Sequence, residues 1–296
     1  MDLEQANSSA VSRRRALPQI NNFTIGELHA LPDFYGFVRC MGGPLAFNMF
    51  LGGSDDGVAM RFFWNGQFEK TALNIWTKLA RNSSLIVDVG AHTGTFTLAA
   101  SCANPSAKVI SFEPYFLNWA RLNLNLRANS IATGNAFMLA AADQNCVLPF
   151  SVNTNPDYLS TGGRIGHGGA LELQVQAVAL DAFFPRDIHG KLDLFKIDTE
   201  GTEAQALQGM ESILTHANPT IFLNVFDSNA AQAIAEILRR HGYRFFLVND
   251  LTGDVEEVET LAPIFDAQGN PRLDVINRIA TKKLSKSDLL DLRLHD

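Results

Sequence analysis

Apolar positions change their rhythm twice along the chain. From Phe34 to Phe63, short apolar runs are broken by Gly42, Gly43, Pro44, Gly52, Gly53 and Gly57, the pattern of two or three short strands joined by turns. Over GQFEKTALNIWTKLA the spacing turns helical, with Phe68, Ala72, Ile75, Trp76 and Leu79 on one face. Continuous apolar runs then follow: LIVDVG (85–90), KVISFEP (108–114), GNAFMLAAAD (134–143), LDLFKID (192–198) and TIFLNVFD (220–227). Most are followed by helical patterns, among them TFTLAASC, FLNWARLNLNLRA, EAQALQGMESIL and AAQAIAEILRR. Such runs are strands buried on both faces, and their alternation with helices predicts an α/β fold with a mostly parallel sheet. YRFFLVND (243–250) and VEEVET (255–260), joined by LTGD, read as a C-terminal antiparallel hairpin.

Residues 1–20 are polar, with Arg13, Arg14 and Arg15 in a row, and read as a solvated flexible tail rather than a nucleic-acid patch. Residues 21–80 form an N-terminal strand and helix extension packed on the core, 81–262 the ligand-binding α/β domain, and 263–296 a polar C-terminal extension of loop and short helix. Between Cys146 and Val178 the alternation breaks off. There VLPFSVN and LELQVQAVAL read as strands around NPDYLSTGGRIGHGGA, a Gly- and Asn-rich loop that is either a connector or a lid. At 296 residues and 46% hydrophobic, the chain buries a full-sized core. Its net charge of −7 argues against general binding to nucleic acid or anionic membrane and favours small-molecule partners. Cys40, Cys102 and Cys146 are scattered, with no CxxC, as in a cytoplasmic protein with reduced thiols, and no apolar run is long enough for membrane insertion.

In a parallel α/β sheet, ligands bind outside the carboxyl ends of the strands. Asp88 stands at one such end, and Gly90 and Gly94 bracket the turn into a helix whose N-terminus offers unpaired N–H groups. Ala91 and His92 spoil a GxGxxG pattern, which disfavours a pyrophosphate cradle. Glu113 ends the next strand, placed to accept hydrogen bonds from both hydroxyls of a ribose. Taken singly, Asp88 reads as a carboxylate holding its loop's amides and Glu113 as a helix N-terminal acid; together they read as an adenosine site. Three carboxylates, Asp198, Glu200 and Glu203, crowd the end of LDLFKID. Thr202 with Gln205 reads as a capping box, and Glu203 falls in the first helical turn, where the helix dipole favours it. Asp198 has the least structural reason to follow an apolar run; Glu200 is open to either reading. Lys196 is assigned to the opposite face, paired with an acid, and His167 is a lid residue or merely exposed.

DVGAHTGTF, the SFEP segment with its Asn-rich helix, ALDAF (179–183) and LDLFKIDTEGTEAQALQG resemble the FkbM family of S-adenosylmethionine-dependent methyltransferases. The resemblance runs from about Gly66 to Asn249 and takes in the QFE segment and HGYRFFLV; KIDTEGTE is its most specific part. It implies a class I methyltransferase (Rossmann-like) fold and methyl transfer to a hydroxyl of a sugar, glycolipid or polyketide-like metabolite. By position, S-adenosyl-L-methionine would meet Asp88, Gly90, His92 and Gly94 with its methionine end and Glu113 with its ribose. Its adenine would lie beside Ala141 to Asp143, although DQN equally makes a simple turn. Asp198 and Glu200 are the catalytic candidates, orienting or deprotonating the acceptor. The family commonly has an acid where this chain has Asn224. That change keeps open a catalytically weak adenosine- or partner-binding module, and a Rossmann-type NAD oxidoreductase, which would use the same strand-end acid for ribose, also stays open beside the methyltransferase. In a further reading, Asp198, Asn224 and Asp227 hold Mg²⁺.

Overall fold

The computed structural model describes residues 2–152 and 161–293. The chain opens with α1 (Leu3–Arg15) and the short α2 (Ile25–His29), then a hairpin of β1 (Phe34–Gly42) and β2 (Leu45–Gly53). A short helix, α3 (Gly57–Met60), runs into a π-helical turn (Arg61–Asn65) and on to α4 (Lys70–Arg81). Next come β3 (Leu85–Val89), α5 (Thr95–Ala103), β4 (Lys108–Phe112), α6 (Phe116–Ala128), β5 (Ala136–Phe137) and β6 (Ala140–Ala141). The interruption consists of β7 (Cys146–Val152), β8 (Gly163–Ile165) and β9 (Leu171–Val178), leading into α7 (Leu180–Phe183). Alternation resumes with β10 (Leu194–Ile197), α8 (Glu203–Gln208), α9 (Glu211–His216), β11 (Thr220–Asn224) and α10 (Ser228–Arg240). β12 (Arg244–Val248), β13 (Val255–Val258), β14 (Asn277–Thr281) and α11 (Lys286–Arg293) follow.

The main sheet has eight strands in the order β13-β12-β14-β11-β10-β3-β4-β5. The run from β11 to β5 is parallel, while β14 lies antiparallel to both β11 and β12, and β13 antiparallel to β12. Every residue of β3, β10 and β11 is buried, because helices cover both faces: α4, α5, α6 and α11 on one side, α8, α9 and α10 on the other. The parallel sheet and the β12–β13 hairpin agree with the sequence reading.

Four expectations are corrected. The segment read as a flexible tail is a capped helix: Asp2 accepts from the amides of Glu4 and Gln5, Asn7 exchanges two hydrogen bonds with the Tyr35 backbone, and Ala10 is fully buried. The C-terminal extension supplies β14 to the middle of the main sheet, so a boundary at residue 262 cuts through it. GNAFMLAAAD is two short strands rather than one: β5 pairs with β4, and β6 crosses to pair with β9 in a second sheet of order β6-β9-β7-β8. Part of the expected loop joins that second sheet as β8; residues 153–160 of it lie outside the described residues.

Candidate functional site

A cavity of about 490 Å³ opens at the carboxyl ends of β3, β4, β10 and β11. The segment around Arg61–Lys70, the second sheet through Phe150, Gly163 and Ile165, and the Leu273–Ile276 stretch wall it in. The loop after β3 forms its floor. Gly90 takes φ 79°, and a Cβ there would stand 1.8 Å from the Asp198 carbonyl oxygen, so only glycine lets the ends of β3 and β10 approach this closely. Asp88 is buried, its Oδ2 accepting from the Thr97 hydroxyl at 2.6 Å, and burial pushes its carboxyl up to about 6. Ala91 and His92 also line the cavity, and the helix behind them, α5, has no side-chain cap on its N-terminus. Gly94 is not among the lining residues. Leu122 of α6 fills its space, with Cδ1 2.5 Å from where a Cβ would be, so this glycine serves helix packing rather than ligand approach.

Glu113 faces the cavity while tying two loops together. Its Oε2 accepts from the His92 amide at 2.8 Å and its Oε1 from the Tyr115 amide at 2.9 Å. Burial raises its pKa, opposed by His92 and by these amide bonds. A carboxylate oxygen has a second lone pair, so the cavity side of Glu113 keeps accepting capacity. Ala141 lines the cavity; Asp143 does not, being exposed in the bend into β7 because the chain has already left the main sheet at β6. His167 is also exposed, its Nδ1 3.0 Å from Glu172 Oε2.

At the end of β10 the structure departs most from the sequence reading. Lys196 and Asp198 are two residues apart and so share a face. The Lys196 ammonium is buried, donates to Asp198 Oδ2 at 3.1 Å and to Asn224 Oδ1 at 2.7 Å, and lies 4.9 Å from the centre of the Phe96 ring. Asn224 completes the triangle by donating from Nδ2 to Asp198 Oδ2 at 2.7 Å. Its amide both accepts from the lysine and donates to the aspartate; an ionised acid there only accepts. Asp198 Oδ1 is left buried and without a hydrogen-bond partner. Glu200 stands at the rim with φ 54°, its outer side exposed and its carboxyl crowded within; burial and the like charges of Asp198 and Glu203 push it to about 7. Glu203 is structural in a manner not foreseen: its Oε1 accepts from the amides of Thr199 and Gly201. The expected capping box is absent, since Thr202 makes no side-chain cap. Asp227 caps α10 through the amides of Asn229 and Ala230, so the Mg²⁺ trio is not assembled.

Seven carboxylates line the cavity against three lysine or arginine side chains, which gives it a field that favours a cationic ligand. Asp198 Oδ1, Thr199 Oγ1, Asn118 Oδ1 and Glu69 Oε2 are buried there without partners. S-adenosylmethionine suits this negative site with its sulfonium, its ammonium and two ribose hydroxyls, and the uncapped amides at the start of α5 are donors for its carboxylate. Of the residues named from the sequence, Asp88, Gly90, His92, Glu113, Ala141, Asp198 and Glu200 meet around one cavity; Gly94 and Asp143 do not join them. Lys196, Asn118, Thr199 and Glu69 were missed as site residues. For Lys196 the period of two along β10 was the available signal.

A family model described as the methyltransferase FkbM domain matches residues 88–245. The methyltransferase sdnD of Sordaria araneosa is 26% identical over 159 residues, covering 44% of this chain and 61% of that relative's length. Among solved structures, an FkbM methyltransferase from Methylobacillus flagellatus KT aligns with TM-score 0.43 at 14% identity, covering 76% of this chain and 53% of that one. A SAM-dependent methyltransferase from Agrobacterium tumefaciens aligns with TM-score 0.44 at 10% identity, covering 83% and 69%.

Proposed function

Because the chain belongs to the FkbM methyltransferase family, we propose that it transfers a methyl group from S-adenosylmethionine to a hydroxyl oxygen of a sugar, glycolipid or polyketide-like small molecule. One observation carries the reading: Asp198, which lines the cavity, is fixed through Oδ2 by Lys196 and Asn224 while its buried Oδ1 has no hydrogen-bond partner. A carboxylate anchored on one side and free on the other suits orienting a hydroxyl group, which must also shed its proton as it attacks.

S-adenosylmethionine, when bound, supplies an electrophilic methyl carbon on a sulfonium whose sulfur keeps the bonding pair. The chain's own residues do the rest. Glu113 accepts from ribose hydroxyls on its cavity side, the β3–α5 loop and Ala141 shape the nucleoside wall, and Asp198 fixes the acceptor oxygen. Positioning of this kind lowers a barrier by roughly 7–11 kcal/mol. The negative cavity speaks against the pyrophosphate of NAD, as does the β3–α5 loop without GxGxxG.

Calorimetric titration with S-adenosylhomocysteine beside NAD tests the cofactor, followed by transfer of labelled methyl to a panel of hydroxylated and amine acceptors. Micromolar S-adenosylhomocysteine binding and label on oxygen are expected. Preference for NAD overturns the methyltransferase reading, and label on amines only overturns the hydroxyl.

A further inference from the structure

Among the described residues, five non-glycine residues take positive φ, and three of them, Glu69, His92 and Glu200, line the one cavity. Backbone strain held at a site points to function. His92 and Glu200 belong to the strand-end loops already discussed. Glu69 does not: it lies in the QFE segment, before the matched domain, at the junction between the π-helical turn and α4, with φ 40° and ψ 49°. As the N-terminal residue of a helix its side chain caps nothing. Its Oε2 is buried in the cavity with no hydrogen-bond partner.

From this placement we infer that Glu69 is a second carboxylate of the transfer site, facing the point of methyl transfer and taking the acceptor's proton on its free Oε2. The inference rests on the methyltransferase reading above. As the acceptor oxygen bonds to the methyl carbon, the carbon–sulfur pair leaves with sulfur, the O–H pair stays on oxygen, and the proton passes to Glu69. Asp198 is bonded on one side by an ammonium and an amide and is set to hold the acceptor still. Glu69 Oε2 has no such anchor. The charged groups that act on it are Lys196 of β10, Asp198 just beyond that strand and Asp250 beyond β12, with Asn277 of β14 adding a hydrogen bond and Arg61 of the π turn also within its field. Burial outweighs them and pushes its carboxyl to about 7, where a base serves neutral chemistry best.

Sinefungin, in which a carbon replaces the sulfonium sulfur and an amine stands where the methyl group would, tests the assignment without knowledge of the acceptor. Affinities for sinefungin and S-adenosylhomocysteine are measured between pH 6 and 8 on the unmodified protein and on Glu69→Gln. The unmodified protein should prefer sinefungin, with the ratio rising through about pH 7 as Glu69 ionises; Glu200, also near 7, contributes part of that slope. Glu69→Gln should cut the ratio about tenfold and remove most of the rise, while binding S-adenosylhomocysteine within about twofold of the parent. An unchanged ratio in that variant overturns the role of Glu69, and so does a flat profile in the unmodified protein, a measurement needing no variant. If the unmodified protein binds neither ligand, the methyltransferase reading falls, and the Glu69 assignment with it.

Discussion

Replacing Glu113 separates its two tasks. Two backbone amides, those of His92 and Tyr115, donate to its oxygens at 2.8 and 2.9 Å in a place that water scarcely reaches. Hydrogen bonds to a charged group contribute about 1.5–3 kcal/mol each, so truncation to alanine forfeits roughly 3–6 kcal/mol gross. Part of this is returned, because the alanine variant no longer buries a carboxylate whose pKa burial has raised. A net cost of about 2–4 kcal/mol follows for Glu113→Ala, too large for a clean probe of ligand binding. Glu113→Gln keeps one acceptor oxygen for one of the two amides and should cost about 1–2 kcal/mol. It replaces a charged acceptor for ribose hydroxyls with a neutral one, and S-adenosylhomocysteine affinity should fall tenfold or more. Urea unfolding of both variants gives the stability costs, and calorimetric titration of the glutamine variant gives the affinity. Were that variant to bind within about twofold of the parent, Glu113 would be a loop tie alone. Were the alanine variant to lose less than about 1 kcal/mol, the amide bonds would not carry the weight given to them here.

The Lys196–Asp198 pair should be non-additive: Lys196→Met leaves a half-covered carboxylate without its ammonium and should cost about 2–4 kcal/mol, much of it recovered when Asp198→Asn is added. Urea unfolding of the two singles and the double checks this, and additivity within about 0.5 kcal/mol refutes it. Asp88 gives a pH signature of opposite sign to a salt-bridged acid. Its folded pKa, about 6, lies above its ordinary 3.8, so the native state holds the proton more tightly and stability falls as pH rises between those values. Asp88→Asn removes this term, which is of order 3 kcal/mol, and should be stabilised relative to the parent above pH 6 but not near pH 4, as read by thermal melts across that range. A difference that does not change with pH refutes the assignment.

How much was legible depended on whether one segment or several decided the outcome. The strand runs are local statements about burial, and β3, β4, β10 and β11 fall where they were read. The acids at their ends follow from the rule that parallel strands present ligands at their carboxyl ends, which brought Asp88, Glu113, Asp198 and Glu200 to one cavity. Lys196 does pair with an acid, as read, but was put on the wrong face although the period of two places it beside Asp198. Glu203 was given to the helix dipole, while its actual partners are the Thr199 and Gly201 amides of the turn before it, a geometry fixed only when Glu200 and Gly201 adopt positive φ. Gly94 resembled a ligand-loop glycine, yet what occupies its space is Leu122, in a different helix. Helix α1 escaped notice because it is polar almost throughout and docks through a few contacts such as Asn7 with Tyr35 and Arg14 with the Phe63 carbonyl. The Asn224 departure needed the triangle around it to make sense.

The place of β14 bears on how the chain is made. It pairs with β11 on one side and β12 on the other, so the centre of the sheet is completed by the last of that sheet's own strands to be synthesised. Until then the strands from β3 to β11 can align, but β11 and β12 each present an unpaired edge, the kind of surface through which nascent chains stick to one another. Closing that gap requires a contact between segments far apart in sequence, which makes it a slow step in folding. The stretch that carries the family signature therefore does not finish its own sheet, and recombinant fragments trimmed to that signature, which ends just inside β12, will leave the β11 edge exposed permanently.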